Sequence, residues 1–244
     1  MSKQFIASST AVAAIVLSHS AAAAIVLAGW DTSGAAGWGP SPFAPTETAA
    51  GVSVVGLTRG SGLATTGNAS GGFSNAWGAS GWAVAGGPPA QTRANATSNG
   101  KFVTFSLTVA AGYEMSLETI DPIRYQRDNN GPTSGALEYQ VNGGAFTTVV
   151  AAIAYSGGAG QSVSAISLSG IASLQGLGAG TTVTFRLVNW GGTNQNDGGR
   201  WAFNNGIAGG NDLAINGTMS LVPAPGAIAL LGAAGLVGSV RRRA

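Results

Sequence analysis

The sequence predicts an all-β protein, a β-sandwich with a jelly-roll-like arrangement. Three observations support this. Glycine makes up 40 of the 244 residues, and each glycine inside a helix costs about 1 kcal/mol relative to alanine. Several stretches alternate apolar and polar residues at the period of a β-strand. Two such stretches are separated by Asn142-Gly143-Gly144, a strong signal for a hairpin turn.

The alternating stretches predict individual strands. The clearest are Phe102–Val109 and Thr182–Trp190, in which every second residue is apolar over most of the run. Within residues 115–125 the alternation changes phase at Asp121-Pro122, where we expect a bulge or a crossing between sheets. The hairpin strands flank Asn142. Shorter strands are expected at 25–30, 52–58, 166–169, 201–204 and 213–219, which gives about ten strands in a sandwich.

The N-terminus has the composition of a secretory signal peptide. Lys3 precedes an apolar stretch that is densest over 11–17, and a run of small residues follows at 21–24. These are the charged region, the short apolar region and the cleavage site of an exported protein. We therefore assign residues 1–24 to a signal peptide, with cleavage after Ala22, Ala23 or Ala24. The alternatives are a buried helix and a permanent anchor, but the apolar part is shorter than the ~20 residues that span a bilayer.

The C-terminus has a second targeting pattern. Val222-Pro223-Ala224-Pro225-Gly226 would break any regular element. No residue of 221–240 is charged, and the chain then ends in Arg241, Arg242, Arg243 and one alanine. About 20 uncharged residues are one bilayer crossing, and a basic cluster beyond them belongs on the cytoplasmic side. The alternative is a C-terminal core helix with a solvated basic tail. We assign 25–220 to a glycine-rich β-sandwich domain and 221–244 to a sorting or transmembrane segment.

Together these features resemble the PEP-CTERM sorting signal of bacterial exported proteins. The matching positions are Pro223, Pro225 and the three terminal arginines, and Ala224 stands where the family has glutamate. The resemblance implies recognition of Val222 to Pro225 by an exosortase-type membrane protease or transpeptidase. It also implies insertion of Leu230, Leu231, Leu236 and Val237 into the membrane. The arginines Arg241, Arg242 and Arg243 would act as the topological stop.

The body is similar to a recurrent kind of exported domain in the same family. The shared features are Gly29-Trp30-Asp31 near the start, the Asn142 hairpin in mid-chain, the 182–187 strand, and Gly198-Gly199-Arg200-Trp201 before the sorting motif. This resemblance implies an exported β-sandwich and assigns no molecular activity to it.

The charge balance depends on the two ends. The whole chain is formally +2. Without Lys3 and the terminal arginines the body is slightly acidic, so nucleic acid is not an expected partner. The one histidine, His19, lies in the signal region, and there is no cysteine. Catalytic triads that use either residue are excluded from the mature body, and we expect no enzyme.

A polysaccharide-acting enzyme is the second alternative function, with Glu114, Glu118 or Glu138 as carboxylates. Glu114 and Glu118 share one strand face at a separation of roughly 13 Å, more than the ~5–9.5 Å between paired glycosidase carboxylates. We expect these glutamates to face solvent.

Metal and cofactor sites have little support in the sequence. Asp128-Asn129-Asn130-Gly131 and residues 194–199 are oxygen-rich, but turn formation explains both segments. No cofactor is expected. A structural calcium ion is the alternative, with Asp128 and Asp197 as ligands.

The six tryptophans allow two interpretations. Trp30, Trp190 and Trp201 lie in or beside predicted strands and are expected to pack there. Trp38, Trp77 and Trp82 lie in a Gly/Ser/Ala-rich stretch. They either hold these loops against the sandwich or form an exposed sugar-stacking platform. The second interpretation makes the chain a carbohydrate-binding module for exopolysaccharide, which is the first alternative function.

The favoured function is that of an exported protein of the cell envelope or extracellular matrix, with a structural or adhesive role and no catalysis. Its expected partners are the exosortase-type sorting enzyme, the membrane through the C-terminal segment, and exopolysaccharide. The expected route is transient membrane anchoring followed by display at the cell surface or release into the matrix.

Overall fold

A computed structural model describes residues 23–65, 73–87, 90–194, 199–204 and 209–223. This part of the chain forms two antiparallel sheets that pack face to face, so the predicted all-β sandwich is confirmed. The strands are β1 (Ile25–Trp30), β2 (Glu47–Thr48), β3 (Val52–Arg59), β4 (Trp77–Ala79), β5 (Phe102–Val109), β6 (Tyr113–Arg127), β7 (Ser134–Val141), β8 (Thr147–Ala154), β9 (Gly158–Val163), β10 (Ile166–Ser167), β11 (Thr182–Trp190), β12 (Trp201–Phe203) and β13 (Leu213–Leu221).

The first sheet has the order β2-β1-β13-β6-β12-β4, with β9 and β10 also paired to β6. The second sheet has the order β3-β5-β11-β7-β8. The core lies between them and is formed by the inward-facing side chains of the alternating strands. Representative members are Phe105 and Phe185 of the second sheet and Met115, Leu117 and Tyr125 of the first.

The strands at Phe102–Val109 and Thr182–Trp190 have the predicted bounds. The expected bulge is also present. Ile120 and Ile123 of β6 pair with Ile215 and Leu213 of β13, so β6 has one more residue between the paired positions. Three strands were not predicted, β2, β4 and β9. Neither was the helix α1 (Arg93–Ser98), which covers the outer face of the second sheet around Val188.

The two ends of the sandwich differ in construction. At one end, the turn end, strands are joined by tight turns at 49–52, 110–113, 141–144 and 178–181. Each turn is closed by a hydrogen bond from its fourth N–H to its first carbonyl. Each has glycine with positive φ at its third position, namely Gly51, Gly112, Gly143 and Gly180, as such turns require. The opposite end, the loop end, has long connections, among them 31–46, the described parts of 60–76, and 128–133.

The predicted targeting segments lie mostly outside the described residues. Residues 1–22 and 224–244 are not described. At the C-terminal boundary, Leu221 is the last residue of β13 and pairs with Tyr113 of β6. The N–H of Val222 donates to the carbonyl of Gly112 at 2.9 Å. These two residues, which the sequence placed in the sorting segment, are hydrogen-bonded to the sandwich.

Candidate functional site

The turn end is the place where the C-terminal segment leaves the sandwich. Val222 and Pro223 lie against the 110–113 and 178–181 turns and line an open groove of about 490 Å³ with Tyr113 and Ala179. Four large apolar side chains are exposed in the described part of the chain. Two of them, Leu221 (73% exposed) and Val222 (49% exposed), are adjacent here.

The turn end is poor in charge. Among residues 49–52, 110–114, 141–146, 178–181 and 221–223, the one charged side chain is Glu114. No charged residue occurs anywhere between Glu138 and Arg186 in the sequence, and that stretch supplies two of the four turns. The turn end is therefore a surface of small and apolar residues.

Several charged side chains lie at the loop end, and some of them are bound inside the protein. The guanidinium of Arg59 donates to the carbonyls of Gly78, Trp38 and Gly39 and lies 4.5 Å from the centre of the Trp77 ring. Burial lowers the pKa of Arg59 to about 10. The Lys101 ammonium donates to the carbonyls of Gly62 and Gly81 at 2.6 Å each, and burial also lowers its pKa. Both cations fix glycine-rich loops through backbone carbonyls.

The sugar-stacking hypothesis for Trp38, Trp77 and Trp82 is wrong, because all three side chains are fully buried. Trp77 stacks on Phe203 with ring centres 6.0 Å apart, and its indole N–H donates to the Pro40 carbonyl. Trp82 packs edge-on against Trp201. No ring face of the three is open to a sugar. They hold the loops against the sandwich, which was the alternative interpretation.

The other tryptophans pack as expected. Trp30 and Trp201 are fully buried in the core. Trp190 is half-buried and packs against the cluster under helix α1.

The three glutamates do not come together. Glu114 and Glu118 lie on β6 with the parity opposite to its buried residues Met115 and Leu117, so they face outward from the first sheet. Glu138 lies on the outer face of the second sheet, across the sandwich from them. Glu114 is exposed as expected, but Glu138 is buried. The structure offers no carboxylate pair from this set.

Glu138 is buried because two arginines neutralise it. One carboxylate oxygen accepts from Arg93 of α1, and the other accepts from Arg186 Nε of β11 at 2.6 Å. Arg93 also donates to Thr148, and the Arg186 guanidinium lies 3.7 Å from the centre of the Phe146 ring. A shallow groove of about 580 Å³ opens above this cluster. The contacts fasten α1 to the sheet.

Of the two predicted calcium ligands, the structure describes only Asp128. Asp197 lies outside the described residues. Asp128 accepts from the N–H groups of Asn130 and Arg200 and from Arg200 Nε at 2.9 Å. The bond from the Asn130 N–H is the one that the turn interpretation predicts, and the bonds from Arg200 come from a distant segment. Within the described ranges no three His, Cys, Asp or Glu side chains are grouped to hold a metal, and structural calcium stays a prediction.

A buried carboxylate that sequence reasoning did not single out is Asp212, at the loop end. Its Oδ2 accepts from both the N–H and the hydroxyl of Thr32, and its Oδ1 has no hydrogen-bond partner. Burial, with the nearby charge of Asp31, raises the pKa of Asp212 above its ordinary 3.8. No motif in the sequence marks this residue.

Of the sorting residues, the structure describes Val222 and Pro223. Ala224, Pro225, Leu230, Leu231, Leu236, Val237 and the arginines Arg241, Arg242 and Arg243 lie outside the described residues. In the part of the chain that is described, no helix is long and apolar enough to cross a membrane.

Comparison of the chain with protein-family models, with curated proteins and with solved structures finds no match in any of the three. The functional argument therefore depends on the residues and their arrangement.

Proposed function

We propose that this chain is an exported protein of the cell envelope or extracellular matrix with a structural or adhesive role and no catalysis. A signal peptide at 1–24 would direct export. The C-terminal segment, with its resemblance to the PEP-CTERM signal, would hold the chain at the membrane for an exosortase-type enzyme before display or release.

The observation that carries this proposal is the position of the last strand. β13 pairs with β1 on one side and β6 on the other, and it leads into Val222-Pro223 without a linker. A pull on the C-terminal segment acts along β13 and is opposed by the hydrogen bonds of both neighbours. This attachment suits a domain that is held at a surface by its C-terminus.

The internal use of charge also supports a structural role. The loops of the loop end are fixed by Arg59, Lys101 and the Asp128–Arg200 pair, and the helix by the Glu138 cluster. Such contacts stabilise long connections in a chain that has no disulfides.

The proposal is tested by deleting Arg241, Arg242 and Arg243 from the full chain and measuring its distribution between membrane and medium. Loss of the basic cluster removes the topological stop, so we expect the protein to shift from membrane to medium. The control replaces the three arginines with lysines, which keep the charge and should preserve retention. An unchanged distribution after the deletion contradicts the proposal. Intact-mass analysis of the cellular protein reports both cleavage positions.

A further inference from the structure

The turn end combines three features. Small exposed residues lie in its turns or directly beside them, among them Ala111, Ala145 and Ala179. Among the residues of its turns and their flanks, the one charged side chain is Glu114. The exposed Leu221 and Val222 lie beside the open groove where the chain leaves the fold.

The length of chain beyond the sandwich limits how far this end can be from a membrane. The part of the uncharged run that follows the helix-breaking motif at 222–226, and that would enter the bilayer, begins at Ala227, five residues after Val222. Five residues span at most about 18 Å even when fully extended. With this run inserted, the turn end lies within that distance of the point of entry. The loop end lies beyond it by the length of the strands, about 26 Å for eight residues.

We propose that the turn end is a lipid-facing surface, which contacts the headgroup region of the bilayer while the C-terminal segment is inserted. This inference rests on the proposed function. Small and apolar tips lose little hydration when they enter the interface, and apolar side chains gain from burial there. The charged loop end then faces away from the membrane.

The charge of the turn end determines which lipid headgroups it can contact. Glu114 gives this end no attraction for anionic headgroups. Contact therefore depends on apolar burial and on the tether, and it forms on zwitterionic lipid. Phosphatidylcholine vesicles are the appropriate probe.

The absence of cysteine from the chain allows a direct test with single labels. Full-length variants Ala111→Cys, Ala145→Cys and Ala179→Cys each place one thiol at a different turn. The matched control is Ser156→Cys, an exposed position at the loop end between β8 and β9. Each variant is labelled with an environment-sensitive fluorophore and reconstituted into phosphatidylcholine vesicles with and without a spin-labelled lipid quencher.

We expect the three turn labels to shift to shorter emission wavelength on vesicles. Lipid-borne quenching should be at least about twofold greater than at Ser156, because an interfacial surface enters ~5–10 Å into the headgroup boundary. If the protein floats with the vesicles while the turn labels behave like Ser156, the inference is overturned and the proposed tail insertion stands. If the chain does not float with vesicles, both proposals fail.

Two further outcomes would show that something other than lipid binds to the turn end. Turn labels that are shielded from a water-soluble quencher in the absence of vesicles would indicate a second copy of this chain. Labels shielded only in cell membranes, and not reached by quencher lipid, would indicate a protein partner such as the sorting enzyme. Either result rejects lipid as the occupant.

Discussion

The two ends of this sandwich are made from the ends of the same strands, yet they are stabilised in different ways. At the loop end, long connections are fixed by buried tryptophans and by cations that bind backbone carbonyls. At the turn end, four-residue turns are closed by their own hydrogen bonds, and the side chains are small and exposed. Few charged residues are present in the chain, and several of them hold loops at the loop end. Among the residues of the turn end itself the one charged side chain is Glu114, and the Arg186 guanidinium of β11 lies against Phe146.

The largest expected difference between the ends concerns aromatic packing. Trp77→Ala removes a fully buried ring that contacts Phe203 and Arg59. We expect a loss of about 3–5 kcal/mol in the free energy of unfolding. Phe146→Ala, a half-buried ring at the turn end, should cost about 1 kcal/mol. Urea unfolding of both variants measures the difference, and equal losses would contradict the contrast between the two ends.

The second prediction concerns buried charge. Arg59→Met removes the donors of three backbone carbonyls and the contact with the Trp77 ring. Leaving buried acceptors without partners should lower the free energy of unfolding by about 2–3 kcal/mol. Glu114→Gln, which changes the one charged side chain at the turn end, should change it by less than about 0.5 kcal/mol. If Arg59→Met leaves the free energy of unfolding unchanged, the loops are held without this cation.

The strands that could be predicted from sequence are those with one face in the core and one face outside. Phe102–Val109 and Thr182–Trp190 alternate for that reason, and both have the predicted bounds. Trp77–Ala79 is buried at every position, so it shows no alternation. Gly158–Val163 has three small or glycine residues in succession, which gives no apolar face. Neither strand has a local signal for its pairing.

The candidate site was less predictable, because its parts are distant in sequence. Each of the four turns has a local signal in its glycine, but only the strand order brings them together at the turn end. The glycines are Gly51, Gly112, Gly143 and Gly180. The tryptophan error has the same origin. Trp77 is surrounded by small residues in sequence, and it is buried by Phe203 and Pro40, which come from distant segments. The helix α1 could have been found from its caps, Thr92 and Asn99-Gly100.

The third prediction uses the buried carboxylate at the loop end. The raised pKa of Asp212 means that the folded protein holds this proton more tightly than the unfolded chain does. Its contribution to stability is complete below the ordinary value of 3.8 and is lost as pH rises through the raised folded pKa. Relative to Asp212→Asn, wild-type stability should therefore fall with rising pH in this window, with a slope of at most about 1.4 kcal/mol per pH unit, the limit for one proton. Urea unfolding of both proteins across this range measures the effect, and a difference that is constant or grows with pH refutes it.

The smallest expected effect tests whether the turn end depends on its turns, and two glycines of a single turn provide the comparison. Gly180 has φ of +81° and Gly178 does not have a positive φ, while an added Cβ at either position would meet no atom within 4 Å. Gly180→Ala forces an L side chain into the left-handed region and should cost about 1 kcal/mol. Gly178→Ala restricts the unfolded chain without strain and should be neutral or stabilising by about 0.5 kcal/mol. Thermal unfolding should then show a decrease of about 2–4 °C in Tm for the first variant and no decrease for the second. Equal effects would show that backbone conformation does not fix this turn, and the rigid, small-residue surface proposed to contact lipid would lose its structural basis.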